Sequence, residues 1–389
     1  MKTDPELSAQ ERIRYSRHLT LPEVGSAGQR KLKGSSVLVV GAGGLGSPII
    51  LYLAAAGVGK IGIADFDEID VSNLQRQILY ASTDVDQSKV NTACRKAAQL
   101  NPEIEVVAHD AQVTANNVME LVQNYDVIAD GSDNFATRYL INDACILSKK
   151  PNVHGAIHRF EGQATVFAAH GGPCYRCIFR QPPAEGTILN CAAAGVLGVL
   201  PGIVGSIQAT ECIKLLLSIG SSLVGRLLLV DALEMQFRTI KLKADPECTV
   251  CGEAPTITTP FQCAVSDAFC HDVREVSAAQ LAVELSAQLH DQDNGNMVLL
   301  DVRDQNEFDF SHLQQAVHIA LIDLLARADI PGSLQELSEK QIVVYCLGGT
   351  RSRKAAEILQ AAGLENVRHL KGGIRAWQQE IDLSFSYLE

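Results

Sequence analysis

The sequence predicts a two-domain α/β protein in which a larger domain with a mostly parallel sheet precedes a smaller α/β domain. The chain has 389 residues, and one hydrophobic core rarely serves a chain of that length. Short β-branched runs alternate with helical patterns, which is typical of parallel sheets covered by helices. Around residues 253–272, prolines and threonines replace the periodic patterns. We therefore expect a first domain over residues 1–252, a linker over 253–272 and a second domain over 273–389.

In the first domain, a short β-branched run precedes a glycine-rich turn. Val37–Val40 leads into Gly41-Ala42-Gly43-Gly44-Leu45-Gly46, and an apolar helical pattern continues to Ala56. Gly57 stands where helices commonly end, and Ile61–Ala64 is predicted as the second strand. This order of strand, loop, helix and strand predicts a Rossmann-like nucleotide-binding unit. Further strands are predicted at Glu105–Ala108, Val127–Ala129 and Gln163–Ala168.

The glycine-rich turn predicts a phosphate-binding loop. Gly41, Gly43 and Gly46 fit the pattern G-x-G-x-x-G, and Gly44 lies within it. Such a loop lets backbone N–H groups approach a phosphate, whose charge the following helix stabilises. Asp65 ends the second strand, where a carboxylate can bind a ribose hydroxyl. By itself the loop leaves open a dinucleotide such as NAD, another nucleotide, or a turn without a ligand.

Charged residues that follow the strands favour ATP over NAD. Asp65-Phe66-Asp67 leads into Ser72-Asn73-Leu74-Gln75-Arg76-Gln77, Lys89 comes 13 residues after Arg76, and Asp130-Gly131-Ser132-Asp133-Asn134 follows the strand Val127–Ala129. Hydride transfer needs no such cations. Attack on the α-phosphate of ATP does need cations, because they neutralise the developing charge, and a carboxylate such as that of Asp133 can hold Mg²⁺. Each of these residues alone is typical of a solvated surface.

The region from about Ser8 to Gly252 resembles the MoeB/ThiF-type adenylating enzymes, which are relatives of the ubiquitin-activating enzymes. The shared residues are Arg14-Tyr15-Ser16-Arg17, the glycine loop, Asp65, the Ser72–Arg76 string, Lys89 and Asp133-Asn134. The resemblance implies that Asp65 binds the ribose and that Asp133 binds the metal. It also implies that Arg17 reaches into the site of a partner subunit, and hence a homodimer. The nucleotide-contacting residues it implies are Asp67, Ser72, Asn73, Leu74, Gln75, Arg76, Lys89 and Asn134.

Four cysteines predict a structural zinc site. Cys174-x-x-Cys177 and Cys248-x-x-Cys251 are two identical knuckles separated by 70 residues. Each turn places two thiolates on one side of a tight loop, and two such turns complete a tetrahedral Cys₄ site with no open position. A pair of redox-active or incidental cysteines is the alternative. The resembling family has the same tetrad.

A fifth cysteine predicts sulfur chemistry in the second domain. Cys346 ends the predicted strand Ile342–Cys346 and opens Cys346-Leu347-Gly348-Gly349-Thr350-Arg351-Ser352, before a helix predicted over Ser352–Ala362. The glycines allow N–H groups to point inward, and Arg351 adds a cation. We expect the pKa of this cysteine to be depressed. Cysteine phosphatases place five residues between Cys and Arg, whereas four intervene here, so a persulfide on Cys346 is the better interpretation.

The segment from about Asp272 to Glu389 resembles a rhodanese domain. The resemblance is carried by Leu300-Asp301-Val302-Arg303, Glu307-Phe308, Ser311-His312-Leu313, the cysteine loop and Gly372-Gly373-Ile374-Arg375-Ala376-Trp377. Gln314-Gln315-Ala316 departs from the Pro-Gly pair that is frequent in the family, which affects a turn and not the chemistry. An inactive, binding-only domain is the alternative, but such domains usually lack the cysteine.

Cys191 is a further candidate nucleophile. In relatives with a rhodanese tail, a cysteine at this place is considered to form a thioester or a disulfide, whereas a buried small apolar residue is the plainer interpretation. The remaining cysteines have no spacing partner, and packing or the linker accounts for them: Cys94, Cys145, Cys212, Cys263 and Cys270.

Together the two resemblances imply ATP-dependent adenylation of a ubiquitin-like sulfur-carrier protein that ends in Gly-Gly. Sulfur from Cys346 then gives a thiocarboxylate, either directly or through Cys191. A cysteine desulfurase is the expected sulfur donor, and molybdopterin synthesis is preferred over thiamin synthesis, tRNA thiolation and cysteine synthesis. The competing hypotheses are an NAD-dependent oxidoreductase with a zinc knuckle and a non-catalytic scaffold that binds a ubiquitin-like protein.

Composition disfavours nucleic-acid and membrane partners. The net charge is −12, whereas proteins that bind nucleic acid need clustered cations. Met1–Glu6 lacks an apolar signal core, so we expect a cytoplasmic protein whose eleven cysteines are metal ligands or thiols. The uncharged segment Thr187–Thr210 could be mistaken for a membrane span, but its glycines and Pro201 favour closely packed core helices.

Overall fold

A computed structural model describes residues 5–169, 171–181, 195–260, 273–290, 297–325, 340–364 and 366–387. The chain divides into two compact units, which meet in the sequence near residue 265. Much of the predicted linker, residues 261–272, lies outside the described residues. The exact limits of the domains therefore stay a prediction.

Within the described residues, the first unit contains an eight-stranded sheet. Its strands are β1 (Ser36–Val40), β2 (Lys60–Ala64), β3 (Glu105–His109), β4 (Val127–Asp130), β5 (Asn152–His158), β6 (Glu161–Phe167), β7 (Arg226–Asp231) and β8 (Gln236–Lys241). The spatial order is β3-β2-β1-β4-β5-β6-β7-β8. The first five strands pair in parallel, and β6, β7 and β8 continue the sheet antiparallel. The prediction of a mostly parallel sheet is confirmed.

Helices flank this sheet and connect its parallel strands. They are α1 (Ala9–Arg14), α2 (Ser16–Leu19), α3 (Gly25–Lys33), α4 (Gly46–Ala56), α5 (Lys89–Leu100), α6 (Val118–Gln123), α7 (Phe135–Ser148), α8 (Tyr175–Ile178) and α9 (Leu200–Leu217). Side chains of Ser88 and Asn134 accept hydrogen bonds at the N-termini of α5 and α7, which satisfies N–H groups that lack a partner in the helix. As predicted, α4 ends at Gly57, whose φ is +80°.

Three strands of this unit had no sequence prediction: β5, β7 and β8. All residues of β8 are exposed at the edge of the sheet, so the strand has no buried face that would give alternating apolar residues. β5 begins with polar residues that are buried, including Asn152 and His154. Burial of polar side chains depends on tertiary partners, and a single sequence does not reveal them.

Helix α9 covers much of the uncharged segment that the sequence placed in the core. It is long and apolar enough to cross a membrane, but 56% of it is buried inside the protein. It packs against α4 and against β5 and β6. A Cβ atom on Gly205 would lie 2.5 Å from Pro48 and 2.7 Å from the carbonyl oxygen of Leu45. This close approach of two helices explains the glycine and supports a core helix.

The second unit contains a smaller parallel sheet. Its described strands are β9 (Arg274–Val276), β10 (Met297–Asp301), β11 (Val317–His318), β12 (Gln341–Tyr345) and β13 (Val367–Leu370), and its described helices are α10 (Ala278–His290), α11 (Gln305–Phe310), α12 (Leu321–Leu325), α13 (Thr350–Ala361) and α14 (Gly373–Glu380). The strand order is β11-β10-β12-β13-β9, and each neighbouring pair is parallel. Gln315 adopts a φ of +64°. It lies in the turn Gln314-Gln315-Ala316, where this sequence departs from the Pro-Gly pair that is frequent in rhodanese domains.

The glycine loop lies where the order of the first sheet reverses direction. β1 stands between β2 and β4, and ligands of open α/β sheets bind at such a point, beyond the carboxyl ends of the strands. A Cβ atom on Gly46 would lie 1.9 Å from the carbonyl oxygen of Gly41. A Cβ atom on Gly43 would meet its nearest atom, on Gln77, at 3.6 Å, which is ordinary contact. The first of these glycines is therefore required by packing, and the second is not.

We predict that Gly46→Ala destabilises the first unit and that Gly43→Ala does not. The added methyl at position 46 overlaps the backbone, which costs about 1–3 kcal/mol or more in a packed core. Thermal unfolding of both full-length variants, followed by circular dichroism, measures the difference. Equal melting temperatures for the two variants would contradict this explanation of Gly46.

Candidate functional site

A cavity of about 240 Å³ lies at the carboxyl ends of the parallel strands in the first unit. The loop after β1, the end of β2 and the loop after β4 bring their side chains to it. Of the predicted nucleotide-site residues, those that line the cavity are Gly41, Gly43, Gly44, Asp65, Asp67, Arg76, Lys89, Asp133 and Asn134. The convergence of Arg76, Lys89 and Asp133 on the glycine loop, on which the ATP hypothesis depends, is present.

Lys89 is the first residue of α5 and is buried, whereas its partner Asp67 is exposed. Lys89 Nζ lies 2.8 Å from Asp67 Oδ2. Arg76 lies beside Gly44 of the loop, and its Nη1 donates to the carbonyl oxygen of Ser72 at 3.0 Å. Both cations can exchange these contacts for phosphate oxygens. An ion pair with an exposed carboxylate is weak, and a phosphate offers Arg76 a charge-assisted hydrogen bond in place of a neutral one.

Asp65 is held by backbone donors beside the glycine loop. Its Oδ2 accepts from the N–H of Ala42 at 2.7 Å, and its Oδ1 accepts from the N–H of Asp67 at 2.9 Å. Burial raises the pKa of Asp65 above its ordinary value, and the two backbone hydrogen bonds oppose that rise. The hydroxyl of Tyr80 stabilises the same region, because it lies within hydrogen-bond distance of the carbonyl oxygens of Ala42 and Lys89, at 2.9 and 3.2 Å. The carboxylate is thus fixed beside the glycine loop.

The buried carboxylate of Asp130 supports the loop that carries Asp133. Asp130 is fully buried, and its Oδ1 accepts from the N–H of Ser132 at 3.0 Å and from the Ser132 hydroxyl at 2.6 Å. Its Oδ2 lies 2.9 Å from His154 Nδ1. Burial raises the pKa of Asp130, but the hydrogen bond from His154 and the nearby charge of Arg138 outweigh it and lower that pKa. Burial also lowers the pKa of His154, so a neutral ring donates to a carboxylate.

Several lining residues have no counterpart among the predicted site residues. Gln77 is 4% exposed, and its Oε1 has no partner among the described residues. Arg138 is 9% exposed and donates to the carbonyl oxygen of Ser132 at 3.1 Å. Further lining residues lie after β3, in α7 and in β5: Ala111, Gln112, Val113, Thr137 and Ile157. A signal for the residues after β3 was available in the sequence. Because β3 is parallel to β2, its carboxyl end lies at the same edge of the sheet as the glycine loop.

Some predicted residues do not line this cavity. Gly46 supports the loop by packing, and Arg17 is exposed on the short helix α2. The side chain of Asn73 accepts from the N–H of Asp70 at 3.3 Å. The others that do not line it are Ser72, Leu74 and Gln75. Their contacts with a nucleotide, like the partner-subunit role of Arg17, stay predictions.

The four predicted zinc ligands come together. The Sγ atoms of Cys174, Cys177, Cys248 and Cys251 all lie within 4.8 Å of one another. Cys174 is 3.5 Å from Cys248, and Cys177 is 3.4 Å from Cys251. Zn–S bonds of about 2.3 Å in a tetrahedron require sulfur atoms about 3.8 Å apart. The cluster therefore fits a closed, four-thiolate metal site.

A buried ion pair attaches the first knuckle to α7. Arg176 lies between the two cysteines of this knuckle, and its Nε and Nη2 each donate to Asp143 at 2.7 Å. Its guanidinium also lies 4.7 Å from the ring centroid of Tyr139. The neighbouring Asn142 accepts from the N–H of Tyr175 at 2.7 Å. Since α7 begins at Asn134 in the nucleotide cavity, one helix holds both sites.

In the second unit, Cys346 lies at the base of the predicted loop. It is 1% exposed, and its Sγ accepts from the N–H of Gly349 at 3.1 Å. Ser352 Oγ lies 3.5 Å from the same sulfur. The N–H groups of Ile374 and Arg375 donate to the carbonyl oxygens of Cys346 and Leu347 at 2.9 and 3.1 Å. The string Gly372–Trp377 is thus hydrogen-bonded to the start of the cysteine loop and fixes its backbone.

The cation expected from Arg351 is present but is not free. Its Nη1 and Nη2 donate to the two carboxylate oxygens of Glu307 at 2.6 and 2.8 Å. The sequence predicted a cation at Arg351, and the structure adds that a carboxylate compensates its charge. Glu307 belongs to the quoted rhodanese motif, 44 residues earlier in the chain, and only the packing of α11 against the loop shows the pairing.

Cys191 falls on residues 182–194, outside the described residues, as do Cys263 and Cys270. Their predicted roles therefore have no structural test. Apart from Cys346, the described cysteines without a knuckle partner are Cys94, Cys145 and Cys212, of which the last two are buried. This agrees with a packing role for Cys145 and Cys212.

Comparison with known proteins matches two different families to the two parts of the chain. The ThiF family matches residues 15–250, and the rhodanese-like domain matches residues 282–380. A Mycobacterium tuberculosis protein (strain ATCC 25618 / H37Rv) named probable adenylyltransferase/sulfurtransferase MoeZ is 44% identical over 383 residues, covering 96% of this chain and 95% of that protein. Adenylyltransferase and sulfurtransferase MOCS3 of Sus scrofa is 42% identical over 400 residues, covering 97% and 88%.

Solved structures resemble the first unit at lower identity. The crystal structure of E. coli MccB with ATP has a TM-score of 0.54 and 22% identity, and the match covers 62% of this chain and 74% of that one. At this identity the likeness shows the fold alone.

The fold and its sites define an adenylating enzyme with a rhodanese-like sulfurtransferase domain at its C-terminal end. The chain belongs to the ThiF family. It is an enzyme with adenylyltransferase and sulfurtransferase activities, and ATP is the substrate of the first.

We predict that Asp130→Asn weakens binding of ATP–Mg²⁺ about tenfold, because the loop under Asp133 loses a buried, charge-assisted hydrogen bond. Asp126→Asn is the matched control, since Asp126 directly precedes the same strand at its opposite end and accepts hydrogen bonds from Ser36 there. Calorimetric titration with ATP–Mg²⁺ measures both. Wild-type affinity in Asp130→Asn, or an equal loss in Asp126→Asn, would refute the supporting role.

Proposed function

We propose that this enzyme adenylates the C-terminal glycine carboxylate of a ubiquitin-like sulfur-carrier protein of the MoaD/ThiS type, and then converts that carboxylate into a thiocarboxylate. The observation that carries the proposal is the convergence of Arg76, Lys89 and Asp133 on the glycine loop in one cavity. The names of the relatives, adenylyltransferase and sulfurtransferase, support both half-reactions.

In the first half-reaction, a carboxylate oxygen of the carrier attacks the α-phosphorus of ATP. The bond to the bridging oxygen breaks, and its electron pair leaves with pyrophosphate. Arg76 and Lys89 stabilise the negative charge that develops on the phosphates. We infer that Asp133, with Asp67 nearby, holds Mg²⁺, which offsets the charge of the triphosphate. Both carboxylates are exposed at the cavity, as a metal bound together with its substrate requires.

In the second half-reaction, the outer sulfur of a Cys346 persulfide attacks the carbonyl carbon of the acyl adenylate, and AMP leaves. The acyl group is then joined to Cys346 through two sulfur atoms. Attack by a thiol on the inner sulfur releases the thiocarboxylate and leaves a disulfide. Cys191 is our candidate for that thiol, or for an earlier thioester that receives the acyl group. Its residues lie outside the described part of the chain, so this role rests on resemblance.

Several further assignments belong to the same proposal. A cysteine desulfurase supplies the sulfur, the enzyme acts in the cytoplasm, and molybdopterin synthesis is the preferred pathway. The active form is a homodimer in which Arg17 reaches the partner's nucleotide. In support of this, Arg17 is exposed and does not line the cavity of its own chain.

The alternatives lose their main support. A scaffold without activity has no need of a cavity with buried Lys89 or of a loop built around Cys346. An NAD-dependent oxidoreductase does not explain three charged groups at the phosphate loop or the membership of an adenylating family.

We predict that the carrier protein induces exchange of pyrophosphate into ATP and that Lys89→Ala slows this exchange about 100-fold or more, because it removes a charge at the reacting phosphate. Lys96→Ala is the matched control, since Lys96 lies on the same helix but pairs with Asp84 away from the cavity. NAD binding without carrier-dependent exchange would overturn the proposal.

We predict that Cys346→Ala retains this exchange and loses thiocarboxylate formation, because adenylation does not use the loop. Mass spectrometry of the carrier follows the replacement of one oxygen by sulfur. Cys145→Ala is the control, since it removes a buried cysteine outside all sites. Thiocarboxylate formation by Cys346→Ala at the wild-type rate would exclude the assigned sulfur donor.

We predict that the purified enzyme binds about one zinc ion per chain, held by four thiolates. Cys177→Ser removes the ion and lowers the melting temperature, whereas Cys94→Ser keeps both unchanged. Elemental analysis and thermal unfolding measure the two effects. A wild-type chain that stays free of zinc after expression in zinc-supplemented medium would disprove the zinc assignment.

A further inference from the structure

The cation of the loop around Cys346, the guanidinium of Arg351, forms a bidentate ion pair with a carboxylate of the same domain. Arg351 donates to both oxygens of Glu307 at 2.6 and 2.8 Å, and the side chains are only 23% and 15% exposed. A second carboxylate, that of Asp304, lies 3.8 Å from the same guanidinium. A bidentate pair of this kind fixes the guanidinium in orientation as well as in charge. Arg351 therefore presents little uncompensated positive charge to a ligand.

Both members of the pair are ionised near neutral pH. Burial raises the pKa of Glu307, but the hydrogen bond and charge of Arg351 outweigh burial and lower it. Burial lowers the pKa of Arg351, while Glu307 more than compensates and raises it. Glu307 is also anchored to its own helix, because its Oε2 accepts from the N–H of Asp304 at 3.1 Å. The carboxylate is thus a fixed feature of the loop and not a mobile surface group.

Sulfur donors differ in the charge that they bring to such a loop. Thiosulfate is a small dianion, so it needs unpaired cations and loses its hydration when it enters a buried site. A persulfide on a donor protein carries at most one negative charge, and contacts elsewhere between the proteins position it. Since Cys346 is 1% exposed, the donor's outer sulfur must enter the loop in either case.

We propose that Glu307 is a positioning residue that sets the sulfur donor. By occupying Arg351, it disfavours small sulfur-bearing dianions and leaves the loop selective for a protein-bound persulfide. This inference rests on the sulfur transfer proposed above and names the residue that selects the donor proposed there.

The chemistry is the same for both donors and needs no outside oxidant. The Cys346 thiolate attacks the outer sulfur of the donor, and a new S–S bond forms. The donor's own bond to that sulfur breaks, and its electron pair leaves with sulfite or with the donor's thiolate. Selection therefore lies in binding, before any bond changes.

The test is Glu307→Gln in the full-length protein, with thiosulfate as the donor and cyanide as the acceptor. Glutamine keeps an oxygen that can cap Asp304 but removes the charge from Arg351. We expect kcat/KM for thiosulfate to rise about tenfold or more, chiefly through a lower KM, because a unit charge within 4 Å of the binding cation is lost. Loading of Cys346 by a cysteine desulfurase and cysteine stays at the wild-type rate.

Two variants separate this effect from a general loosening of the domain. Glu284→Gln breaks a similar two-point pair, in which Arg368 donates at 3.0 and 2.7 Å, and should leave thiosulfate kinetics unchanged. The double variant Glu307→Gln with Arg351→Gln should lose the gain, since the freed cation is then absent.

An unchanged KM for thiosulfate in Glu307→Gln, or an equal gain in Glu284→Gln, would overturn the inference. A gain that persists in the double variant would do the same. These outcomes are distinct from failure of the proposed function, which would appear as thiocarboxylate formation without Cys346. The thiosulfate assay needs neither the carrier nor ATP, so each proposal fails on its own measurement.

Discussion

The close contact between the ends of β1 and β4 at the glycine loop fixes the positions of the groups that line the cavity of the first unit. A Cβ atom on Gly41 would lie 2.9 Å from the carbonyl oxygen of Gly131, and one on Gly46 would lie 1.9 Å from that of Gly41. Three backbone segments therefore touch with no room for side chains between them. The end of β1, the start of α4 and the loop after β4 are held as one body, and the phosphate-binding groups inherit that rigidity.

Helix α7 extends this arrangement to the cysteine cluster. It begins beside the cavity at Asn134, and its middle holds the first knuckle through the buried pair of Asp143 and Arg176. Breaking a buried pair by removing one partner is costly, since it leaves an uncompensated charge. The cysteine cluster and the cavity thus contact the same helix, the cavity at its start and the cluster beyond its middle.

The two units handle charge in opposite ways. The cavity keeps Lys89 on an exposed carboxylate, which ATP–Mg²⁺ can displace, and leaves Arg76 with a single carbonyl contact. The loop of the second unit instead pairs its arginine with a mostly buried glutamate. The first site is therefore suited to a highly charged substrate, whereas the second presents little uncompensated positive charge to a ligand.

The sequence by itself determined the fold class, the nucleotide edge of the sheet, the cysteine tetrad and the sulfur loop. Each of these depends on local spacing: glycines in a turn, two knuckles, a cysteine and an arginine around glycines. Only the tertiary structure decided the antiparallel extension β6 to β8, the buried support of Asp133 by Asp130 and His154, and the pairing of Arg351 with Glu307. The side-chain pairs join residues that are 24 and 44 positions apart, and the last strand of the extension, β8, has no buried face. Such contacts produce no periodic pattern in the sequence, because burial and charge compensation are properties of the packed chain.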